Sequence, residues 1–205
     1  MSIGTVVLVA LAILCLFSVG ERVCTELGWP RFLAVVFLVC AAIFQTLPGE
    51  IKIGGGTVSP AGVGFVLVAG VWAVYRSLVL GERIARMWLS ILLCGLWMLL
   101  LLMLWNRQGI LEPLLPGAAC GVLAALIADS RPGMLVYSLL GALLACILYV
   151  GYSLITGGIN MLELGTGYSW NLFAVSLWCA LWFYELKDAI KRFVFIKIPK
   201  NRSAP

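Results

Sequence analysis

The stretch Ala142-Leu143-Leu144-Ala145-Cys146-Ile147-Leu148-Tyr149-Val150 is the middle of an apolar run from Gly133 to Ile155 that contains no Lys, Arg, Asp or Glu. About twenty such residues form a helix roughly 30 Å long, the thickness of a bilayer's hydrocarbon core. In hydrocarbon every backbone N–H and C=O must be paired within the segment, which a helix achieves alone. The run is helix-length rather than a ten-residue alternating strand, so a β-barrel is excluded.

Working outward, six more windows of this kind can be drawn, from Ile3 to Val19, Arg31 to Leu47, Pro60 to Tyr75, Arg86 to Leu104, Leu111 to Ala128 and Tyr168 to Tyr184. Composition agrees: 63% of the 205 residues are hydrophobic and 11% charged. Average soluble domains carry roughly 25% charged residues, so a polar shell cannot be assembled and lipid must be the outer solvent. The expected fold is an all-α polytopic transmembrane helix bundle of about seven spans, with residues 1–186 as the bundle and 187–205 as a basic cytoplasmic tail.

Helix punctuation supports the starts. Pro30, Pro60, Pro113 and Pro132 fall at or near first turns, where a missing N–H costs nothing, and Ser59 and Ser130 are N-cap candidates. Lys and Arg of short loops accumulate on the cytoplasmic side of a membrane. Seven spans place Arg22, Arg31, Arg76, Arg83, Arg86, Arg131, Lys187, Lys191, Arg192, Lys197, Lys200 and Arg202 on one side, and only Lys52 and Arg107 on the other. Deleting the seventh span erases that bias, whereas deleting the third leaves it, so the third rests on length and apolarity alone. The N-terminus is therefore expected outside and the C-terminus in the cytoplasm. Met1-Ser2-Ile3 carries no positive charge ahead of the first apolar run, which fits a retained helix rather than a cleaved signal.

No histidine occurs, which removes Ser-His and Cys-His nucleophile pairs, HExxH zinc sites and histidine proton relays. Cys15, Cys40, Cys94, Cys120, Cys146 and Cys179 lie inside apolar runs without a Cys-x-x-Cys and read as small core residues. No metal or cofactor is expected. The net charge of +5 sits on no water-exposed domain, so nucleic acid is not an expected partner. An intramembrane aspartyl protease needs two carboxylates sharing a proton, and only Asp129 and Asp188 offer themselves, both at helix ends. Asp129 reads as a turn residue in Asp129-Ser130-Arg131-Pro132 or a partner of Arg131, and Asp188 as a partner of Lys191 or Arg192.

Gly117, Gly121, Ala125 and Asp129 recur every four residues, a small-residue stripe that lets helices approach closely. It reads as packing inside the bundle, with a homodimer contact or a pore-facing strip as alternatives. The segment Glu50 to Pro60, with Gly54, Gly55 and Gly56, reads as a flexible outer loop, with a substrate cavity or re-entrant segment as the alternative. Thr156 to Gly167 is a second Gly-rich outer loop. In the tail, Lys187, Lys191, Arg192 and Lys197 are candidates for anionic lipid headgroups, at about 1 kcal/mol per basic residue.

The phrase Ile51-Lys52-Ile53-Gly54-Gly55-Gly56-Thr57-Val58-Ser59-Pro60, opening into an apolar helix, resembles the Ile-Asn-Ile-Gly-Gly type of segment in families of uncharacterised multi-pass membrane proteins of spore-forming Firmicutes bacteria. It departs from that pattern at Lys52 and Ser59. The resemblance implies a bacterial plasma membrane and a link to sporulation. The leading expectation is a non-enzymatic membrane protein that assembles with itself or with other membrane proteins in envelope or spore development. The alternative is a small transporter or channel for an uncharged or lipid-like solute.

Overall fold

The computed structural model describes residues 3–44, 51–53, 56–105, 114–156 and 167–196. Those residues form eight helices and one short ribbon: α1 (Ile3–Leu16), α2 (Ser18–Leu27), α3 (Arg31–Phe44), β1 (Ile51–Ile53), β2 (Gly56–Val58), α4 (Pro60–Val79), α5 (Ile84–Trp105), α6 (Leu114–Ile127), α7 (Arg131–Thr156) and α8 (Gly167–Ile196). Three helices are long and apolar enough to cross a membrane, over Pro60–Val79, Ile84–Leu104 and Arg131–Tyr152. The bent pair α1 and α2 adds a fourth if it counts as one span, and Arg31–Ile43 and Leu114–Ile127 are shorter apolar helices.

Two expectations need correction. The window from Ile3 to Val19 is not one helix: the backbone is extended at Phe17, and α2 leaves α1 at 88°. The physical reason lies just beyond the break, where α2 becomes amphipathic. Cys24 and Leu27 are buried while Glu21, Arg22 and Thr25 are exposed, so α2 cannot continue along an apolar axis and turns across the end of the bundle. It stops at Gly28, whose φ of +67° suits glycine, and Trp29 N–H closes the end on the Cys24 carbonyl at 2.9 Å.

The second correction concerns the outer segment expected to be a flexible loop. Ile51–Ile53 and Gly56–Val58 pair antiparallel, with Ile51 opposite Val58 and Ile53 opposite Gly56. The alternation of Ile51, Lys52 and Ile53 is the period of a strand. Gly54 and Gly55 lie outside the described residues, as do Pro113, most of the second Gly-rich loop and the tail beyond Ile196.

The starts of α4 and α7 follow the sequence. Ser59 Oγ accepts from Gly62 N–H at 3.3 Å, and Ser130 Oγ from Gly133 N–H at 3.0 Å. The last helix runs unbroken past 186–187 to Ile196, with residues 189–194 exposed.

At the centre stands α7, which touches α4, α5, α6 and α8. Its candidate span is 72% buried, against 39% for α5 and 28% for α4, although α5 is the more hydropathic. Hydropathy therefore does not decide which helix is central, and side-chain size does. Ser138, Gly141, Ala142, Ala145 and Cys146 let neighbours close in from several sides. A Cβ on Gly141 would stand 2.8 Å from Cys94 Cβ of α5. By contrast α5 presents Trp88, Leu89, Leu92, Leu93, Leu96 and Trp97 outward. A soluble protein rarely exposes so contiguous an apolar surface, whereas a membrane protein needs one.

Candidate functional site

One end of the bundle gathers the polar side chains. Its chemistry begins with a problem shared by all helices: the last four carbonyls and first four N–H groups have no partner within the helix. Cations answer it at the end of α6. Lys187 Nζ on α8 donates to the carbonyls of Ala125, Leu126 and Ala128 at 2.9, 2.8 and 2.6 Å, and Arg86 on α5 donates to Ile127 O at 3.2 Å. Two positive charges thus sit where the α6 dipole is negative. The C-terminus of α2 is closed likewise by α4, with Arg76 Nη2 on Glu26 O at 2.9 Å and Trp72 Nε1 on Leu27 O at 2.9 Å.

Anions answer the same problem at the start of α7. The Glu26 carboxylate accepts from Arg131 backbone N–H at 3.3 Å, while Glu82 accepts from Ser130 Oγ at 2.6 Å and from Tyr137 Oη at 2.9 Å. The Arg131 side chain, only 7% exposed, is the hub. It pairs with Glu26 of α2, with Glu185 of α8 at 2.7 Å and with Asp188 of α8 at 3.3 Å, and Arg192 meets Asp188 at 2.6 Å. The Tyr184 ring lies 5.5 Å from the Arg131 guanidinium carbon and 5.6 Å from Lys187 Nζ. Burial pushes the Lys187 pKa down, and the charge of Lys191 adds to that.

The cluster re-sorts several expected roles. Asp129 pairs with Arg86, not with Arg131, and its backbone carbonyl accepts from Tyr184 Oη at 2.9 Å. Asp188 meets Arg192, as expected, and also Arg131. Each of the two aspartates therefore has arginine for its partner. Lys187, expected at lipid headgroups, spends all three ammonium donors on α6 carbonyls. Lys191 is exposed, Arg192 is half committed to Asp188, and Lys197 lies outside the described residues. The small-residue stripe faces α8: a Cβ on Gly117 would stand 2.9 Å from Leu172 O, and one on Gly121 would overlap Ser176 O and stand 2.9 Å from Ala180 N. Ala125 is fully buried, and Gly56 opens β2.

Glu26, Glu82 and Glu185 escaped the sequence reading. The available signal was that acidic residues accompany basic ones in the connections assigned to one side of the membrane, though no periodicity links positions 26, 131 and 185. Among the described residues no group of three or more Cys, Asp or Glu could hold a metal ion.

The pockets among the described residues include three apolar ones with shared walls. The largest, about 100 Å³, is bounded by α1, α2, α3, α4, α7 and α8, with Leu11, Cys24, Trp29, Ala69, Leu139 and Leu177 on its wall. A second, of about 50 Å³, shares Phe37, Ala69 and Leu177 with it and ends at Trp170. Another of about 50 Å³ shares Leu11, Cys15 and Leu181 with it and ends at Trp182 and Glu185, inside the charged cluster. Trp170 is 4% exposed, and its indole N–H has no acceptor among the described residues. An unpaired buried donor costs about 1–3 kcal/mol.

No family model matches the chain, and neither a curated protein nor a solved structure does.

Proposed function

We propose that the chain is a seven-pass, non-enzymatic protein of the cell membrane, N-terminus outside and C-terminus in the cytoplasm, that assembles with itself or with other membrane proteins. The observation that carries the topology is the charged cluster. It joins Glu26 near the α2–α3 connection, Glu82 between α4 and α5, Asp129 and Ser130 between α6 and α7, and the C-terminal half of α8. A chain that crosses seven times brings those segments, and no others, to one side. In this reading α2 lies along the inner interface, and α1 and α3 to α8 cross. The short α3 and α6 fit beside longer neighbours because the bilayer thins locally and flanking side chains snorkel.

The same segments carry the basic residues that mark a cytoplasmic face. A fluorescent reporter fused after Pro205 should therefore light up, and alkaline phosphatase inserted beside Arg107 should be active. An exported C-terminus would overturn the topology. The stripe on α6 is covered by α8, so an assembling surface falls on an outward face such as that of α5. Cysteine placed at Leu96 should give crosslinked dimers or crosslinks to a second membrane protein in cells. Monomer alone, repeated at Leu89 and Leu93, would remove assembly through that face.

The second reading, a carrier or channel for a lipid-like solute, is favoured by one observation: the apolar pockets with shared walls that lie between the charged cluster and Trp170.

A further inference from the structure

We infer that the C-terminal half of α8 is the surface through which two copies of this chain pair, parallel and side by side, along a seam of Cys179, Phe183, Leu186, Ile190 and Phe193. The inference rests on the membrane and assembly reading above, to which it adds the surface and the partner.

The seam begins as a contact inside the bundle. Leu172, Ser176 and Cys179 are spaced four and three residues apart, and Phe183, Leu186, Ile190 and Phe193 continue the same alternation. Such spacing averages 3.5 residues and holds one stripe of a helix against a partner helix. Along the first half that partner is α6. Leu172 and Ser176 are fully buried, their carbonyls set against Gly117 and Gly121. Further on, α6 ends at Ile127 and the same stripe lies bare. Exposure rises from 43% at Phe183 through 54% at Leu186 and Ile190 to 74% at Phe193.

Lipid does not account for the whole stripe. Helix α8 has 30 residues, roughly 45 Å at 1.5 Å per residue, against a hydrocarbon core of about 30 Å. Its polar boundary is the level at which Glu185 and Asp188 meet Arg131. Ile190 and Phe193 stand beyond Asp188 by roughly 3 and 8 Å along the axis. Residues 189–194 are exposed on every face, so this end of α8 stands clear of the described bundle. A short helical end of that kind is marginal in water without packing. Its stripe calls for another helix.

A second copy supplies one by symmetry. Copies in one membrane share an orientation, so a two-fold axis along the membrane normal sets α8 parallel to α8, each seam residue facing its counterpart. Charge permits the approach. At 100° per residue Asp188 falls on the face opposite the seam, and Glu185, Lys187, Lys191 and Arg192 fall to its sides. Lys187 and Glu185 are moreover turned to α6 and to Arg131. No like charges meet across the seam, and the bundle lies behind it.

The test uses the full chain purified into phosphatidylcholine vesicles. Single cysteines replace Leu186, Ile190, Phe193, Lys191 or Arg192 in a Cys179→Ser chain, whose own dimer band is the baseline for copper-phenanthroline crosslinking. Leu186→Cys, Ile190→Cys and Phe193→Cys should crosslink at least about fivefold above Lys191→Cys and Arg192→Cys, the pattern of an a/d seam. Ile190→Glu sets two carboxylates against each other at a position the monomer leaves exposed. Energy transfer between labelled copies, followed on dilution into excess lipid, should report at least about tenfold weaker pairing, with the melting temperature of the monomer unchanged. Should Ile190→Glu fail to fold, Phe193→Ala decides by the same readout, weaker pairing supporting the seam and unchanged pairing overturning it.

Equal crosslinking at all five positions, or pairing untouched by Ile190→Glu, overturns the proposal. So does labelling of Phe193 by a diazirine phospholipid in a chain that shows no seam crosslinks, which makes lipid the occupant. Crosslinks from Leu96→Cys on α5 with none along α8 overturn this surface and leave the assembly reading standing. Crosslinks at neither helix overturn both.

Discussion

The two ends of this bundle are held by different physics. At the charged end, Arg131, Lys187, Arg86 and Arg76 bind carboxylates and helix-terminal carbonyls of α2, α6, α8 and the turn between α6 and α7. At the opposite end, Gly4 N–H donates to Asn171 Oδ1 at 2.7 Å, and Ser59 caps α4. There α1 and α8 rely on close approach, since a Cβ on Gly4 would stand 2.9 Å from both Asn171 Oδ1 and Trp170 Cδ1. The contrast teaches that basic residues usually read as topology signals also complete the structure. Arg76, Arg86 and Lys187, counted as topology signals in the sequence, are those that close α2 and α6.

The comparison can be broken first at its hub. Arg131→Met leaves Glu26, Glu185 and Asp188 crowded without their common cation, and a buried pair broken on one side costs about 3–5 kcal/mol. Thermal unfolding in detergent should show that loss, and adding Glu26→Gln and Glu185→Gln should restore most of it. No recovery would mean that packing, not charge, explains the defect. Next comes Gly121→Ala, whose Cβ meets the α8 backbone rather than a movable side chain. Over-packing of this kind costs about 1–3 kcal/mol, and an unchanged melting temperature would show that α6 and α8 separate easily.

Lys187→Met should cost about 1–3 kcal/mol through the carbonyls it strands, with faster hydrogen exchange confined to the end of α6 as the distinguishing readout. Asn171→Ala at the opposite end removes a single hydrogen bond and should cost about 1 kcal/mol. Equal losses at Lys187 and Asn171 would erase the contrast between the ends. Smallest is Gly64→Ala, where a Cβ meets nothing within 4 Å. It should be neutral or stabilise α4 by up to about 0.5–1 kcal/mol, the usual difference between glycine and alanine in a helix.

Much of the architecture was legible in the chain because it depends on local chemistry. Apolar runs of helix length, Ser59 and Ser130 before their prolines, and the four-residue spacing of Gly117, Gly121 and Ala125 each act within one segment. The break at Phe17 was less legible, since the apolar run continues through it and only Glu21, Arg22 and Glu26 announce the change of direction. The strand pairing of Ile51–Ile53 was masked by the neighbouring glycines.

The candidate sites were legible only in part. That Asp129 and Asp188 lie at helix ends and that Asp188 meets Arg192 follow from the sequence, but the Asp129–Arg86 pair does not, because the two are 43 residues apart and only the fold brings them together. The apolar pockets have no sequence signature, for their walls are ordinary core residues from as many as six helices.

By itself the sequence determined the solvent, the helical class and which residues sit at helix ends, because burial in lipid and backbone hydrogen bonding act on every segment separately. Only the tertiary structure decided that α7 is central, that Arg131 joins three carboxylates, and that the Trp170 indole N–H is buried without an acceptor among the described residues. Those are properties of the space between helices, fixed by side-chain size and by long-range pairing that no single segment encodes.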